Sequence, residues 1–331
     1  MAEPDERRRE GARLLVLGAQ ALTLLSTWSL WSVRTAPPNL PLLDLPLPCG
    51  ALLLLSLPAA WRWKKEGALL HAALFALSVL LDMTRLTAAP CSLVLLLLLL
   101  SLPGGERLLR PYLASMWCWA GLNKLLSPAF FGGVVPGMIA VLPSWLPERE
   151  HAGLAVALFE LGLGLAALVP RAHRGVGPLA LVLHLGALGT LLTLRINEGV
   201  WAWNALLALL PMLAFAAPLN CPPPHAAALF FVLPALYYVG LMPPALAHQL
   251  YTGATPTTLT CRADRCIDDL AMREGLAEFG VPIPPSVLTL RAHFFATCAP
   301  GDTWLVRSHL GRAGYDRVID TARCLERRPL R

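Results

Sequence analysis

Long uncharged runs alternate with short charged ones up to residue 247, and after it the chain turns polar. The opening MAEPDERRREGA and Arg13 precede twenty uncharged residues, Leu14 to Val33. Twenty residues rise about 30 Å as a helix, the depth of a bilayer's hydrocarbon core. A cleaved signal peptide has a shorter apolar core. This run is long and ends in Trp28, Trp31 and Arg34, so it predicts an uncleaved first span. Further apolar segments at 46–60, 67–83, 88–103, 111–126, 151–170, 176–194, 199–217 and 226–247 bring the count to nine. All are predicted helical, because backbone polar groups in lipid must be satisfied within the element. Pro46, Pro48 and Pro58 crowd the second, which makes it the weakest. The stretch 130–147 is apolar but broken by glycines and prolines, which suits a re-entrant or surface-lying segment. The expected fold is an all-α polytopic membrane helix bundle of about nine spans, residues 14–247. A cytoplasmic N-terminus, 1–13, precedes it, and a small extracytoplasmic α/β domain, 248–331, follows.

Composition agrees with a membrane protein. The chain has 331 residues, 56% hydrophobic and 15% charged, against about 45–50% and 25% in a soluble domain. An ordinary cytosolic enzyme, a disordered chain and a nucleic-acid-binding domain are excluded as expectations, despite the net charge of +6. The basic residues read as topology signals. A cytoplasmic N-terminus places Arg7, Arg8, Arg9, Arg13, Arg62, Lys64, Lys65, Arg107, Arg110, Arg171 and Arg174 inside, against Arg34, Arg85, Lys124, Arg149 and Arg195 outside. The residue usage is that of a high-GC bacterium, so the expected site is the inner membrane, among membrane lipids. Four of the eight cysteines, Cys261, Cys266, Cys298 and Cys324, fall in the polar tail. An even number in a short extracytoplasmic domain predicts two disulfides in one of three pairings, with a working thiol pair as the alternative. Cys49 and Cys91 could pair with each other or stay buried; Cys118 and Cys221 read as incidental thiols. In the tail, 267–280 has helical spacing and 303–309 reads as a strand.

Ionisable residues within apolar runs are costly and are functional candidates by default. Asp82 and Arg85 close the third segment, Asn123 and Lys124 the fifth. Glu160 and His184 lie midway through the sixth and seventh, and Asn197, Glu198, Trp201, Trp203 and Asn204 open the eighth. On the nine-span topology these groups converge on the outer half of the bilayer. Each has a bland alternative: an Asp82–Arg85 pair on one helical face, an Arg195–Glu198 pair, tryptophans of an interfacial belt, or a histidine bonding to a neighbouring helix. Lys124 could be an anchor that snorkels to the interface. Glu160 is harder to dismiss, because a mid-span carboxylate must be paired or protonated; Lys124 and His184 are its expected partners. A lysine among apolar walls is suited to act as a base. Glu160 and His184 could relay protons, and Trp117, Trp201 and Trp203 offer faces to a quinone-like ring. Metal and nucleotide signatures are absent from the sequence.

Several of these elements resemble the DoxX/MauE-like membrane proteins. They are Asp82, Arg85 and Pro90; Trp119 to Phe131 (W-A-G-L-N-K-L…F-F); Glu160; His184; and Asn197 to Asn204 (N-E-G-V-W-A-W-N). The likeness covers about residues 65–215. The helix carrying Lys124 is also similar to one in the membrane portion of vitamin K-dependent carboxylases (HTTM-like). There a lysine acts as the base near vitamin K hydroquinone on the lumenal side, and Lys124 falls at the matching position. Asn123 stands where the carboxylase motif has a second lysine, and the 84 residues after the last segment are far fewer than its lumenal domain. The resemblance implies a redox- or quinone-linked site at the outer face, with a quinone or quinol as cofactor. Lys124 would be the base, Glu160 and His184 the relay, and Asp82, Arg85 and Asn204 would fix the geometry. The alternative is a non-catalytic accessory or maturation protein whose C-terminal domain recruits an extracytoplasmic partner. If the protein is an enzyme, it is expected to be a membrane oxidoreductase or a quinol-linked lysine-base enzyme.

Overall fold

The computed structural model of the protein describes residues 4–34, 39–43, 45–144, 151–216, 224–249, 252, 255–262, 265–308 and 317–324. Helix α1 (Pro4–Ser26) ends inside the first apolar run and is followed by the single turn α2 (Trp28–Trp31). The Thr27 hydroxyl donates to the Thr23 carbonyl at 2.6 Å and accepts from Trp31 Nε1 at 2.9 Å. Such a side-chain bond back to the preceding turn competes with the backbone ladder and bends a helix. Then come α3 (Cys49–Arg62), α4 (Lys64–Leu81), α5 (Ala88–Ser101) and α6 (Leu109–Leu125). A π-turn at Phe130–Val134 leads into α7 (Val135–Val141). Helices α8 (Ala152–Leu168), α9 (His173–Leu194), α10 (Trp201–Ala214) and α11 (Pro224–Ala235) complete the helical part.

Helix length overturns the nine-span bundle. Among the described residues only Pro170–Leu194, 25 residues with its opening turn, is long and apolar enough to cross a membrane. A second candidate arises only if Gly105–Leu125 and Phe130–Val141, bent by 82° at their break, are taken as one span. Helices α3, α5 and α10 have 14 residues each, and α6 and α8 have 17. At 1.5 Å per residue these reach about 21 and 26 Å, short of the roughly 30 Å core. Helix α4 is 18 residues long but spends its first turn on Lys64, Lys65 and Glu66. Hydropathy counts apolar residues whether or not they share a helix. Caps and breaks decide how many do.

The helices pack around one large core that includes Trp31, Leu93, Leu113, Trp117, Leu163 and Leu207. Helices α1 and α10 run antiparallel, since Gly11 lies beside Leu213 and Gly199 beside Thr27. Gly121 of α6 faces the backbone of α8 so closely that a Cβ there would stand 2.5 Å from the Leu161 nitrogen and 2.7 Å from the Ala157 carbonyl. From the other side a Cβ on Gly164 would meet the Cys118 nitrogen at 2.6 Å. Small residues at facing positions let two helices approach backbone to backbone.

The polar tail builds an antiparallel sheet, ordered β2-β1-β3-β4, from β1 (Thr257–Arg262), β2 (Arg265–Asp268), β3 (Thr303–Ser308) and β4 (Arg317–Arg323). Helices α12 (Leu270–Phe279) and α13 (Val287–Thr297) cover one face. The helix expected over 267–280 begins only at Leu270, because Ile267 and Asp268 pair with Thr260 and Leu259 in the sheet. Two disulfides form, Cys261–Cys266 and Cys298–Cys324. Loop-closure scaling gives about 2 kcal/mol for the shorter loop and about 3.5 kcal/mol for the longer. Cys49, Cys91 and Cys118 are free thiols, so the Cys49–Cys91 pairing does not occur. Cys221 and Arg149 lie outside the described residues.

Inside this unit, His293 Nε2 lies 2.7 Å from Glu274 Oε2. Hydrogen bonding from His293 holds the Glu274 carboxyl below its ordinary value, against partial burial. A carboxylate depressed in the folded state contributes stability above its unfolded pKa of about 4.3, and that stability is lost as pH falls through the lower folded value. The hydrogen-exchange protection factors of α12 and α13, taken against the intrinsic rate at each pH, should therefore hold steady from pH 6 down to about 5 and fall below about 4. Glu274→Gln should flatten that acid limb.

Candidate functional site

Lys124 sits in the last turn of α6 and Glu160 in the middle of α8, across the contact that Gly121 and Gly164 make possible. Lys124 Nζ lies 2.6 Å from Glu160 Oε2, with the side chains 7% and 14% exposed. A proton donor and a proton acceptor are thus in direct contact within an apolar wall. Glu160 lies on the face of α8 that carries the buried Gly153, Ala157, Gly164 and Ala167, away from the exposed Leu154, Leu158 and Leu165.

Asn123, next to Lys124, is tied to the segment that leads into the C-terminal unit. Its Nδ2 donates to the Ala247 carbonyl at 3.2 Å and the His248 carbonyl at 3.4 Å, and its Oδ1 accepts from the Tyr238 hydroxyl. His248 is held at φ +56° and its ring packs edge-on against Tyr112, whose hydroxyl is bonded to Ser92. Tyr238 and His248 were not legible as partners of Asn123, because no sequence spacing links residues more than a hundred positions apart. The ALYYVG aromatic pair was the only local signal.

His184 belongs to a separate chain of bonds. Trp117 Nε1 donates to His184 Nε2 at 3.0 Å, His184 Nδ1 meets Asn204 Oδ1 at 3.0 Å, and Asn204 Nδ2 donates to the Val200 carbonyl. Indole is only a donor, so Nε2 carries the lone pair and Nδ1 the hydrogen. Both imidazole nitrogens are engaged, and no hydrogen bond joins His184 to Lys124 or Glu160. The arrangement ties α6, α9 and α10 together.

Asp82 and Arg85 form the ion pair expected from their spacing only at its long limit, and each has closer partners. Asp82 Oδ2 accepts from Arg34, while Oδ1 accepts from the Thr84 hydroxyl at 2.7 Å, Thr84 N at 3.0 Å and Leu40 N at 3.3 Å. Arg85 approaches Asp82 only to 4.0 Å and donates instead to the carbonyls of Leu30, Ser78 and Ser32 at 3.0–3.2 Å. Together they staple α2, the end of α4 and the turn between α4 and α5. Arg34 also lies 4.1 Å over the Phe279 ring, and Glu198 N donates to the Gly280 carbonyl at 2.9 Å. The C-terminal unit therefore covers the end of the bundle that carries Asp82, Arg85, Asn197 and Glu198.

The tryptophans serve packing more than display. Trp117 is 1% exposed, and Trp201 Nε1 donates to the Ile196 carbonyl. Trp203 is buried with its indole N–H unpaired. Asn197 is buried at φ +50°, a conformation asparagine tolerates, and it turns the chain from α9 into α10. Arg195 and Glu198 make no ion pair with each other. Among the described residues no cluster of three metal-ligating side chains occurs.

The chain matches no family model, no curated protein and no solved structure. The DoxX/MauE-like resemblance thus rests on the sequence elements themselves. A ring carbonyl fits the donor set at Lys124, since an amine or ammonium can hydrogen-bond it while Glu160 holds the other side. The expected stacking faces fit less well, being packed against protein.

Proposed function

We propose that this is an integral membrane protein of DoxX-like type with a redox-linked, quinone-binding polar site. Lys124 and Glu160 are its proton-exchanging pair. The observation that carries this reading is the 2.6 Å contact between the two side chains inside an apolar helix pair. Buried ionisable pairs in such surroundings are functional sites by default.

Membrane residence is supported by the outward apolar side chains. Leu55 is 73% exposed, Val182 66% and Leu22 60%, and apolar surface of this extent in water promotes association. Two disulfides favour an oxidising compartment for the C-terminal unit. On this reading the polar end it covers faces the extracytoplasmic side and the N-terminus the cytoplasmic side. A bound quinone supplies two-electron, two-proton redox chemistry. Lys124 donates a hydrogen bond to a carbonyl oxygen, Glu160 fixes the Lys124 rotamer and exchanges the proton, and Asn123 with Tyr238 shapes the adjoining wall.

The test replaces the pair without leaving a buried charge. A Lys124→Met, Glu160→Leu double variant is expected to unfold within about 1 kcal/mol of wild type, since a well-packed apolar pair can substitute for a buried ion pair. In nanodiscs the wild-type protein should quench its tryptophan fluorescence saturably with a short-chain quinone, and the double variant should bind at least tenfold more weakly. Equal binding by both proteins, or by neither, would sink the proposal.

A further inference from the structure

We propose that the Cys261–Cys266 disulfide is a thiol-exchange site that oxidises dithiols of an extended partner polypeptide, while Cys298–Cys324 is the structural bond. This does not depend on the Lys124–Glu160 reading.

The two bonds differ in burial. Cys298 and Cys324 are 4% and 2% exposed within the core of the C-terminal unit. Cys266 is exposed and Cys261 half-buried. Cys261 and Cys266 are directly opposed on β1 and β2, and β2 is an edge strand. An edge strand presents unpaired backbone groups to an incoming chain. Cys266 is therefore reachable from the side on which an extended peptide can add.

The face of the sheet also fits that occupant. Thr258 and Thr260 point into the core at 4% and 3% exposure. Alternation turns Leu259 and Cys261 to the opposite face, where Leu305 and Thr303 lie across from them. These residues, with Thr321 and Arg323, line an open hollow of about 390 Å³. Leu259 and Leu305 offer an apolar seat for one side chain beside the disulfide.

The chemistry balances as ordinary exchange. A partner thiolate attacks Cys266 Sγ, the Cys261–Cys266 bond breaks, and Cys261 leaves as a thiolate. A second partner thiolate then attacks the partner sulfur of the mixed disulfide, and Cys266 leaves. The partner loses two electrons and two protons and gains a disulfide, and Cys261 and Cys266 end as thiols. Opening the bond leaves the β1–β3 pairing and the Cys298–Cys324 bond in place.

The experiment uses the full chain in nanodiscs, equilibrated with graded reduced glutathione, quenched by alkylation and mapped by mass spectrometry. Cys261 and Cys266 should become alkylated at a glutathione concentration at least tenfold below that needed for Cys298 and Cys324. A reduced, unfolded dithiol peptide should be converted to its disulfide with one equivalent per chain. A Cys261→Ser variant, which keeps the Cys266 thiol, should accumulate a mixed disulfide with the oxidised peptide. Simultaneous opening of both bonds, or selective opening with no oxidation of the peptide, overturns the proposal. The wild-type titration decides even if the variant does not fold.

Discussion

Asp82→Ala is expected to destabilise the protein by about 3–5 kcal/mol, the usual cost of removing one partner from a buried ion pair. Asp82 is 1% exposed and accepts from four donors on three residues, Arg34, Leu40 and Thr84. Its removal leaves Arg34 with Thr84 and the Phe279 ring, while its Nε and Nη1 are already unpaired. The damage should spread to the seat of the C-terminal unit, because Arg34 is one of the groups that touch it. Asp82→Asn keeps an oxygen acceptor for Thr84 and Leu40, so roughly half the loss is expected. Denaturant unfolding in mild detergent, followed by fluorescence, measures both. A loss below about 1 kcal/mol for Asp82→Ala would mean that Arg34 finds water or another acceptor.

Gly121→Val should be the more damaging change for the candidate site. The new Cβ would lie 2.5 Å from a backbone nitrogen and 2.7 Å from a backbone carbonyl of α8. Neither is a flexible side-chain end, so the helices must separate. Overpacking of this kind costs about 1–3 kcal/mol. The larger consequence is geometric. Lys124 lies one turn beyond Gly121, and a shift of even 1 Å lengthens the 2.6 Å contact beyond normal hydrogen-bonding range. Quinone binding should fall with it. Gly162→Ala, in the facing helix α8 with nothing within 4 Å of its new Cβ, is the control. It should leave binding unchanged and stabilise α8 by up to about 1 kcal/mol through helix propensity. Equal effects of the two substitutions would show that close approach at Gly121 does not set the pair's geometry.

Much of the helical layout was legible because apolar runs of this length have few ways to satisfy their backbones. Each run predicted from hydropathy contains a helix. Their ends were not legible. Thr27 stops α1 with a side-chain hydroxyl, and Gly104 at φ +72° and Asn197 at φ +50° turn the chain sharply. These local bonds shorten most helices below a bilayer's depth, which counting residues could not reveal. The candidate residues were legible as types, since a mid-run glutamate or lysine is conspicuous whatever surrounds it. Their partners were only partly so. The i,i+3 spacing of Asp82 and Arg85 predicts a pair, yet Arg34, 48 residues earlier, lies closer to the Asp82 carboxylate.

By itself the sequence determined where apolar helices and the disulfide-bearing polar tail lie along the chain. Hydropathy, cysteine content and backbone satisfaction are properties of a segment and its composition. Only the tertiary structure decided that Lys124 meets Glu160, that His184 is bonded to Trp117 and Asn204, and that Cys261 pairs with Cys266 on an open edge. Those outcomes depend on which helix faces approach and which strands align. Such approaches are fixed by steric fit at residues such as Gly121 and Gly164, whose effect on distant side chains has no signature along the chain.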